Sequence, residues 1–452
     1  MSSLVYRINT LLSGILAGTR IGTNLDLFLL LWTFLSGHLL QSRGGVVPAL
    51  ALFGLPEESV RRCWAALAYG RFEGEDLLER FRAVVETEGL WQPRCHGGFR
   101  PVAGDLTGFF RPCLRDCPTQ HYSAPHGKAL TAIPVGMLAK VGSVNPSGSK
   151  RLALPLAWVH ADPNDSSERA LRRRLLREAK QRLSADEVLV LDRGFPLAQV
   201  QEAGIERYLV RGPSNFTARR AQSAYKGKGR RPQKGEIVRP LPRTYRGRTL
   251  PSTPPDREEV WTGRQGDVTY TLRAEFWEAL VLREAEAHPE AHPEADPFRC
   301  VVIRDPRFAT PLLLVPPLDL SGDDLRRLYL DRWPIEGLPL VAKQMLGAHR
   351  QFVFGRESRH RLPELSLLAG AVLSYLAATE PAVPSGFWDR APKPTDGRLR
   401  RALAGVHFEE LGALPKGLRK KDSPTAHLPK GIQAHRRQKR SEQEPSSVPL
   451  TA

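Results

Sequence analysis

Over roughly the first 95 positions, apolar residues recur at helical spacing. The densest run, Leu25–Leu40, is apolar on nearly every side, which predicts a buried helix. It falls short of the roughly 20 apolar residues of a membrane span and carries Asp26, Thr33, Ser36, Gly37 and His38. Pro48–Phe53, a turn at Gly54 and Pro56, and Glu57–Tyr69 predict a helix pair with Val60, Trp64, Leu67 and Ala68 on its apolar stripe. With Arg61 and Arg62 on the second helix, the pair has the outline of a helix-turn-helix, though such pairs more often serve packing alone.

Beyond residue 100 the period changes. Pro101–Ala103, Leu130–Val141 and Leu152–Val159 are rich in Val, Ile and Leu and predict three consecutive strands. Ser166–Leu183 predicts a helix with an arginine-bearing polar face. Glu187–Leu191 has the continuous apolar run of a strand buried on both faces. Leu197–Ala203 and Arg207–Val210 predict a further helix and strand. This order implies an α/β fold, a mixed sheet covered by helices. Strands are expected again at Glu259–Gly263, Asp267–Arg273, Ala279–Leu282, Arg299–Ile303 and Leu312–Val315. Helices are expected at Gly322–Arg332, Pro334–Leu346 and Leu362–Ala378. From about Lys416 the apolar period is lost, which reads as a disordered tail.

Composition sharpens this picture. The 452 residues are 41% hydrophobic, enough for a sizeable core, so a fibrous or wholly disordered chain is excluded. The formal net charge is +18. Residues 211–250 carry +11 and residues 416–440 carry +8, so the rest of the chain is close to neutral. Charge concentrated in two places points to nucleic acid rather than to a generally basic surface. Five scattered cysteines do not make a disulfide framework and fit a reducing cytosol. Cys113, Cys117 and His121 lack a fourth ligand at zinc-site spacing, and His288 and His292 sit in a proline-rich acidic repeat that reads as a solvated loop. The N-terminus lacks the ordered leader of a secreted protein, so a cytoplasmic location without membrane association is expected.

Two aspartates stand where chemistry is expected. Asp192 closes the buried strand and is followed by Arg193 and Gly194; Asp105 lies in GDLTGFF after the first strand of the sheet. Ligands of open α/β sheets bind at the carboxyl ends of strands. Neighbouring carboxylates there can share hard divalent cations. Tyr329, Arg332, Glu336 and Lys343, in YLDRWPIEGLPLVAKQMLG, fall within about 60° of one another on a helix of about 100° per residue. Such a stripe suits a helix that faces a metal site and a phosphate backbone. Pro334 can open the helix that carries Glu336, which would phase Tyr329 and Arg332 differently.

The spacing Y-x2-R-x3-E-x6-K at these four residues resembles the signature of DDE-type bacterial insertion-sequence transposases. VLDRGF, followed by a strand and Arg211, is similar to that family's second-aspartate region. GDLTG is similar to its first, with Asp116 as the alternative. The likeness spans roughly residues 100–380. It implies a ribonuclease-H-like core with Asp105, Asp192 and Glu336 as catalytic ligands of Mg²⁺, for which Mn²⁺ would substitute. It also implies that Tyr329, Arg332 and Lys343 contact the phosphates of double-stranded DNA at the element's ends. Arg193, Arg211, Lys226, Lys228, Arg230 and Arg231 are further candidate DNA contacts. The 144 residues between Asp192 and Glu336 leave room for the family's β-rich insertion, where Trp261 or Trp277 could stack on an extruded base. A core role is the commoner one for either tryptophan. A homodimer on DNA is expected, since two ends must be processed.

The expected organisation is a helical DNA-binding or assembly unit (1–95), a core in two parts (96–215 and 299–400), a basic linker and β-rich insertion (216–298) and a basic tail (401–452). The residues alone leave open a nuclease that cuts without joining, a DNA-binding protein without catalysis and an RNA-binding protein. Replacing Lys226, Lys228, Arg230 and Arg231 by glutamine should weaken DNA binding and flatten its log–log salt dependence by about 0.9 per lost phosphate contact. An unchanged slope would place the basic footprint elsewhere.

Overall fold

The computed structural model describes residues 2–111, 113–115, 117–144, 150–162, 164–221, 235–282 and 297–420. It opens with α1 (Ser2–Leu16), α2 (Thr23–Leu35), the one-turn α3 (His38–Gln41), α4 (Val46–Leu52), α5 (Glu57–Tyr69) and α6 (Gly74–Glu88). The expected helix Leu25–Leu40 is divided. It stops at Leu35, and Gly37, at φ 79°, takes the left-handed conformation that glycine adopts at no steric cost. α2 is buried from Asn24 to Leu35, as an apolar run without a polar face requires. Its Trp32 indole N–H donates to Asn9 Oδ1 at 2.9 Å. On α5, Arg61 pairs with Glu57 and Arg62 lies 3.7 Å from Asp26.

Next come β1 (Trp91–Pro93), β2 (Arg100–Phe110), β3 (Gln120–Ser123), β4 (Lys128–Val144) and β5 (Lys150–His160). They are followed by α7 (Glu168–Arg182), β6 (Glu187–Leu191), α8 (Leu197–Glu202) and β7 (Tyr208–Arg211). β2 runs well beyond the triplet Pro101–Ala103, because β4 on one side and β6 on the other satisfy its backbone. β4 is antiparallel to both β2 and β5. β2 is parallel to β6, and β6 to β7. The spatial order is therefore β5–β4–β2–β6–β7.

The chain continues through β8 (Ala218–Arg220), β9 (Ile237–Val238), the hairpin β10 (Arg243–Tyr245) and β11 (Arg248–Leu250), β12 (Arg257–Gln265), β13 (Val268–Leu282), β14 (Phe298–Arg304) and β15 (Leu312–Val315). β13 unites two expected strands. A bulge between Trp277 and Leu280, with Ala279 at φ 49°, interrupts its register without ending it. β15 pairs with β7, β14 with β15, and β13 with β14, so this segment extends the same sheet. Then follow α9 (Gly322–Leu330), α10 (Pro334–Leu340), a π-helical turn at Val341–Met345, α11 (Ser358–Thr379) and α12 (Asp396–Leu403).

The result is a mixed α/β fold, an open mixed sheet flanked by helices. α7 packs Leu171, Leu175 and Leu176 with Leu189 and Leu191 of β6. Val188 and Val190, which point the other way, meet Leu325, Leu328 and Tyr329 of α9. A third cluster joins the N-terminal helices, β4, β5 and α11. α11 is the one described helix long and apolar enough to cross a membrane, and 83% of its apolar window is buried inside the fold.

One polar cluster ties these layers together. Asp331, between α9 and α10, is almost fully buried. It accepts from Arg94 Nε at 2.7 Å, pairs with His96 Nε2 at 2.8 Å and lies 3.4 Å from Arg151 Nη1. Burial alone would raise its pKa, but the bonds to His96 and Arg94 hold it below the ordinary carboxylate value. The stabilisation from Asp331 is therefore present above the unfolded carboxylate range and is lost as pH falls below it. Asp331→Asn should cost about 3–5 kcal/mol in urea unfolding at neutral pH. An unchanged midpoint would show that this cluster does not anchor the junction.

Candidate active site

β6 is buried at all its positions, and its register with β2 pairs Arg100 with Glu187 and Gly104 with Leu191. One residue further on stand Asp105, still within β2, and Asp192, which ends β6. The parallel pairing thus sets two carboxylates on neighbouring strands at the carboxyl rim of the sheet. Asp192 turns back on its own loop, accepting from the Gly194 N–H at 2.8 Å. A Cβ at Gly194 would lie 2.9 Å from that carboxylate oxygen, so a side chain there would displace the Asp192 carboxylate.

Asp105 is mostly buried and accepts from the Leu106 N–H at 2.8 Å. Burial pushes its pKa up to about 6; Arg332 opposes this, while Asp192 and Glu336 add to it. Asp192 and Glu336 thus lie within electrostatic reach of Asp105. Arg332 is 5% exposed. Its guanidinium pairs with Glu336, lies 3.8 Å from Asp105 and sits 5.9 Å from the centre of the Tyr329 ring. Burial works against its charge, but Tyr329, Asp105 and Glu336 together raise its pKa above the ordinary arginine value.

Lys343 reaches the same strand two residues further on. Its ammonium donates to Thr107 Oγ1 at 2.5 Å and Gly108 O at 2.9 Å, and lies 4.9 Å from the centre of the Phe109 ring. Burial lowers its pKa to about 8 against the pull of Asp105.

The expected stripe on a single helix is corrected. α9 ends at Leu330, Pro334 opens a new helix, and Lys343 lies on the π turn. The extra residue per turn of that segment re-aims the side chain. Arg332, Glu336 and Lys343 still converge around Asp105. Tyr329, 3% exposed, belongs to the apolar core beneath α9, with the Arg332 guanidinium 5.9 Å from its ring centre.

The other candidates scatter. Arg193 is exposed on the loop after Asp192. Arg211 ends β7 and lines a cavity of about 110 Å³ with Asp305, Arg326, Tyr329 and Trp333. Trp261 is half-buried, packs over Gly322 and donates its indole N–H to Asp323 Oδ1 at 3.2 Å. Trp277 is fully buried in the core. Lys226, Lys228, Arg230, Arg231 and Asp116 lie outside the described residues, as do His288, His292 and the tail from residue 421. Two residues were missed, Thr107 and Arg111. Strand alternation places both on the Asp105 side of β2, a signal already legible in GDLTGFFR.

Among the described residues, no three His, Cys, Asp or Glu side chains are gathered closely enough to hold a metal. Glu336 is turned to Arg332. The donor chemistry fits a hard divalent cation, since all three groups offer carboxylate oxygen and none offers sulfur or imidazole. No protein-family model and no curated protein sequence matches the chain.

The raised pKa of Asp105 has a consequence for stability. Between its ordinary value of 3.8 and about 6 the folded state holds a proton that the unfolded state releases, so stability falls as pH rises through this window. At pH 7.5, Asp105→Asn should therefore stabilise the metal-free protein by up to about 3 kcal/mol, a gain that disappears below pH 4. Urea unfolding at both pH values measures this. A variant less stable than wild type at pH 7.5 would contradict the assigned cause.

Proposed function

We propose that this chain is a DDE-type DNA transposase that cuts double-stranded DNA at the ends of an insertion sequence and joins the freed 3′-hydroxyl to another strand. The observation that carries this reading is that Asp105 and Glu336 share Arg332, while Asp192, following the strand parallel to β2, lies within electrostatic reach of Asp105. The strand order β5–β4–β2–β6–β7, with its first three strands antiparallel and its last two parallel to β2, supports a ribonuclease-H-like core. β8 to β13 stand where the β-rich insertion is expected.

Asp105, Asp192 and Glu336 would hold Mg²⁺, or Mn²⁺ in its place. Bound there, the cation supplies activation of a water or 3′-hydroxyl and stabilisation of the leaving oxygen. The chain's own residues orient the substrate. Arg332 steers Glu336 and offsets part of the carboxylate charge. Lys343 has a desolvated ammonium beside Asp105, suited to a phosphate oxygen of the strand being cut. Arg193, exposed beside Asp192, can hold the neighbouring phosphate. The basic segments after β7 and at the C-terminal end would supply sequence-independent affinity for DNA ends and target. A homodimer on DNA and a cytoplasmic location accompany this reading.

The test uses the gene's own genomic flanks as a labelled duplex with Mg²⁺. Wild type should cleave at the flanking ends. Glu336→Gln should lose cleavage and keep nearly all of its DNA binding. Cleavage at the wild-type rate by that variant would remove Glu336 from the site.

A further inference from the structure

Beyond Asp105, the same side of β2 leads through Thr107 and Phe109 to Arg111, just past the strand's end. Arg111 is 4% exposed. Its Nη2 donates to Val353 O at 2.5 Å, while its buried Nη1 has no partner. Burial lowers its pKa, and the nearby charge of Arg359 adds to that effect. Arg359 and Arg356, at the start of α11, line a cleft of about 230 Å³ together with His160, His360, Cys117 and Thr119.

Among the described residues this cleft is lined by two arginines and two histidines against one carboxylate, Asp162. Among the described residues no carboxylate forms an ion pair with Arg356 or Arg359, and the buried Nε of Arg359 has no partner. The rings of His160 and His360 stack at 4.7 Å. Burial, then His160, Arg359 and Arg356, push the His360 pKa down to about 4. Glu364 Oε1 bonds His160 Nε2 at 2.8 Å, and Asp162 Oδ1 accepts from the Asn164 N–H at 2.8 Å rather than from either arginine. Crowded cations at the rim of a sheet cost stability unless an anion joins them.

We propose that this cleft binds backbone phosphates of the DNA strand that leaves the Asp105 carboxylate, with Arg356 and Arg359 as the direct contacts. The inference rests on the reading of the Asp105 site as DNA-cutting. Six residues separate Asp105 from Arg111, the neighbour of Arg359, about 20 Å at ~3.4 Å per strand residue, so the cleft lies within a short stretch of DNA from the carboxylates. The carboxylates sit at one end of this span, Lys343 is bonded at Thr107, and the arginine cleft holds the strand at the far end.

The experiment compares full-length wild type, Arg356→Gln/Arg359→Gln and Arg356→Lys/Arg359→Lys for binding to a labelled duplex over a range of salt. The glutamine variant should bind more weakly, with a log–log salt slope shallower by about one to two, and the lysine variant should recover most of the slope. A glutamine variant with the wild-type slope overturns the proposal. A second arm follows the His160 and His360 ring signals by NMR. They should shift on adding DNA; a response to inorganic phosphate but not to DNA would make this a small-anion site and overturn the proposal. The two readings fail separately. A shallower slope without metal-dependent cleavage by wild type keeps the cleft as a DNA contact and removes the transposase reading. Cleavage with an unchanged slope removes the cleft alone.

Discussion

The parallel pairing of β2 with β6 governs where the chemistry can sit. β6 is short and buried on both faces, so the chain must surface at Asp192, beside Asp105 on its neighbour. The same strand seats the third group. Val188 and Val190 receive Leu325, Leu328 and Tyr329, which fixes α9. Asp331 then anchors the end of α9 to Arg94, His96 and Arg151, and α10 starts from that anchored point with Glu336 in its first turn. A carboxylate 144 residues beyond Asp192 in sequence is brought near Asp105 by that packing and by the Asp331 anchor.

Electrostatics gives the site its character. Arg332 faces Asp105 and Glu336, Lys343 faces Asp105, and both cations are largely withdrawn from water. Burial dominates at Asp105, so its ionised form is held at a cost to the fold. A fold that gives up stability at one rim in this way follows the pattern of functional sites, where groups are kept in environments that a purely structural residue would avoid. The arginine cleft at the far end of β2 has the opposite imbalance, and the two together form an acidic centre with a basic flank.

Much of this was legible in the chain. The apolar runs at Glu187–Leu191 and Leu312–Val315 coincide with β6 and β15, because a strand buried on both faces leaves an uninterrupted apolar signal. The α/β class followed from the order of those runs. Other features depend on backbone conformations that hydrophobic pattern does not record. Gly37 divides the first apolar helix, and the π turn at Val341–Met345 re-aims Lys343. The Tyr329–Lys343 spacing therefore identified residues that meet, for a geometric reason that does not hold: they lie on two helices and a π turn. Tyr329 and Trp261 show the limit of motif spacing, since both are held in packing contacts that only the fold reveals. Asp331 was invisible for the same reason, because its partners come from the loop after β1 and from β5.

The central claim is that Asp105, Asp192 and Glu336 serve one divalent cation site. Mn²⁺ binding followed by electron paramagnetic resonance, in wild type and in Asp105→Asn, Asp192→Asn and Glu336→Gln, tests it without any assay of cleavage. Each variant should bind Mn²⁺ about 10- to 100-fold more weakly than wild type, the scale on which perturbing a metal site reduces affinity. Equal affinity in wild type and all three variants would contradict the claim and leave the acids as separate features of the sheet's rim.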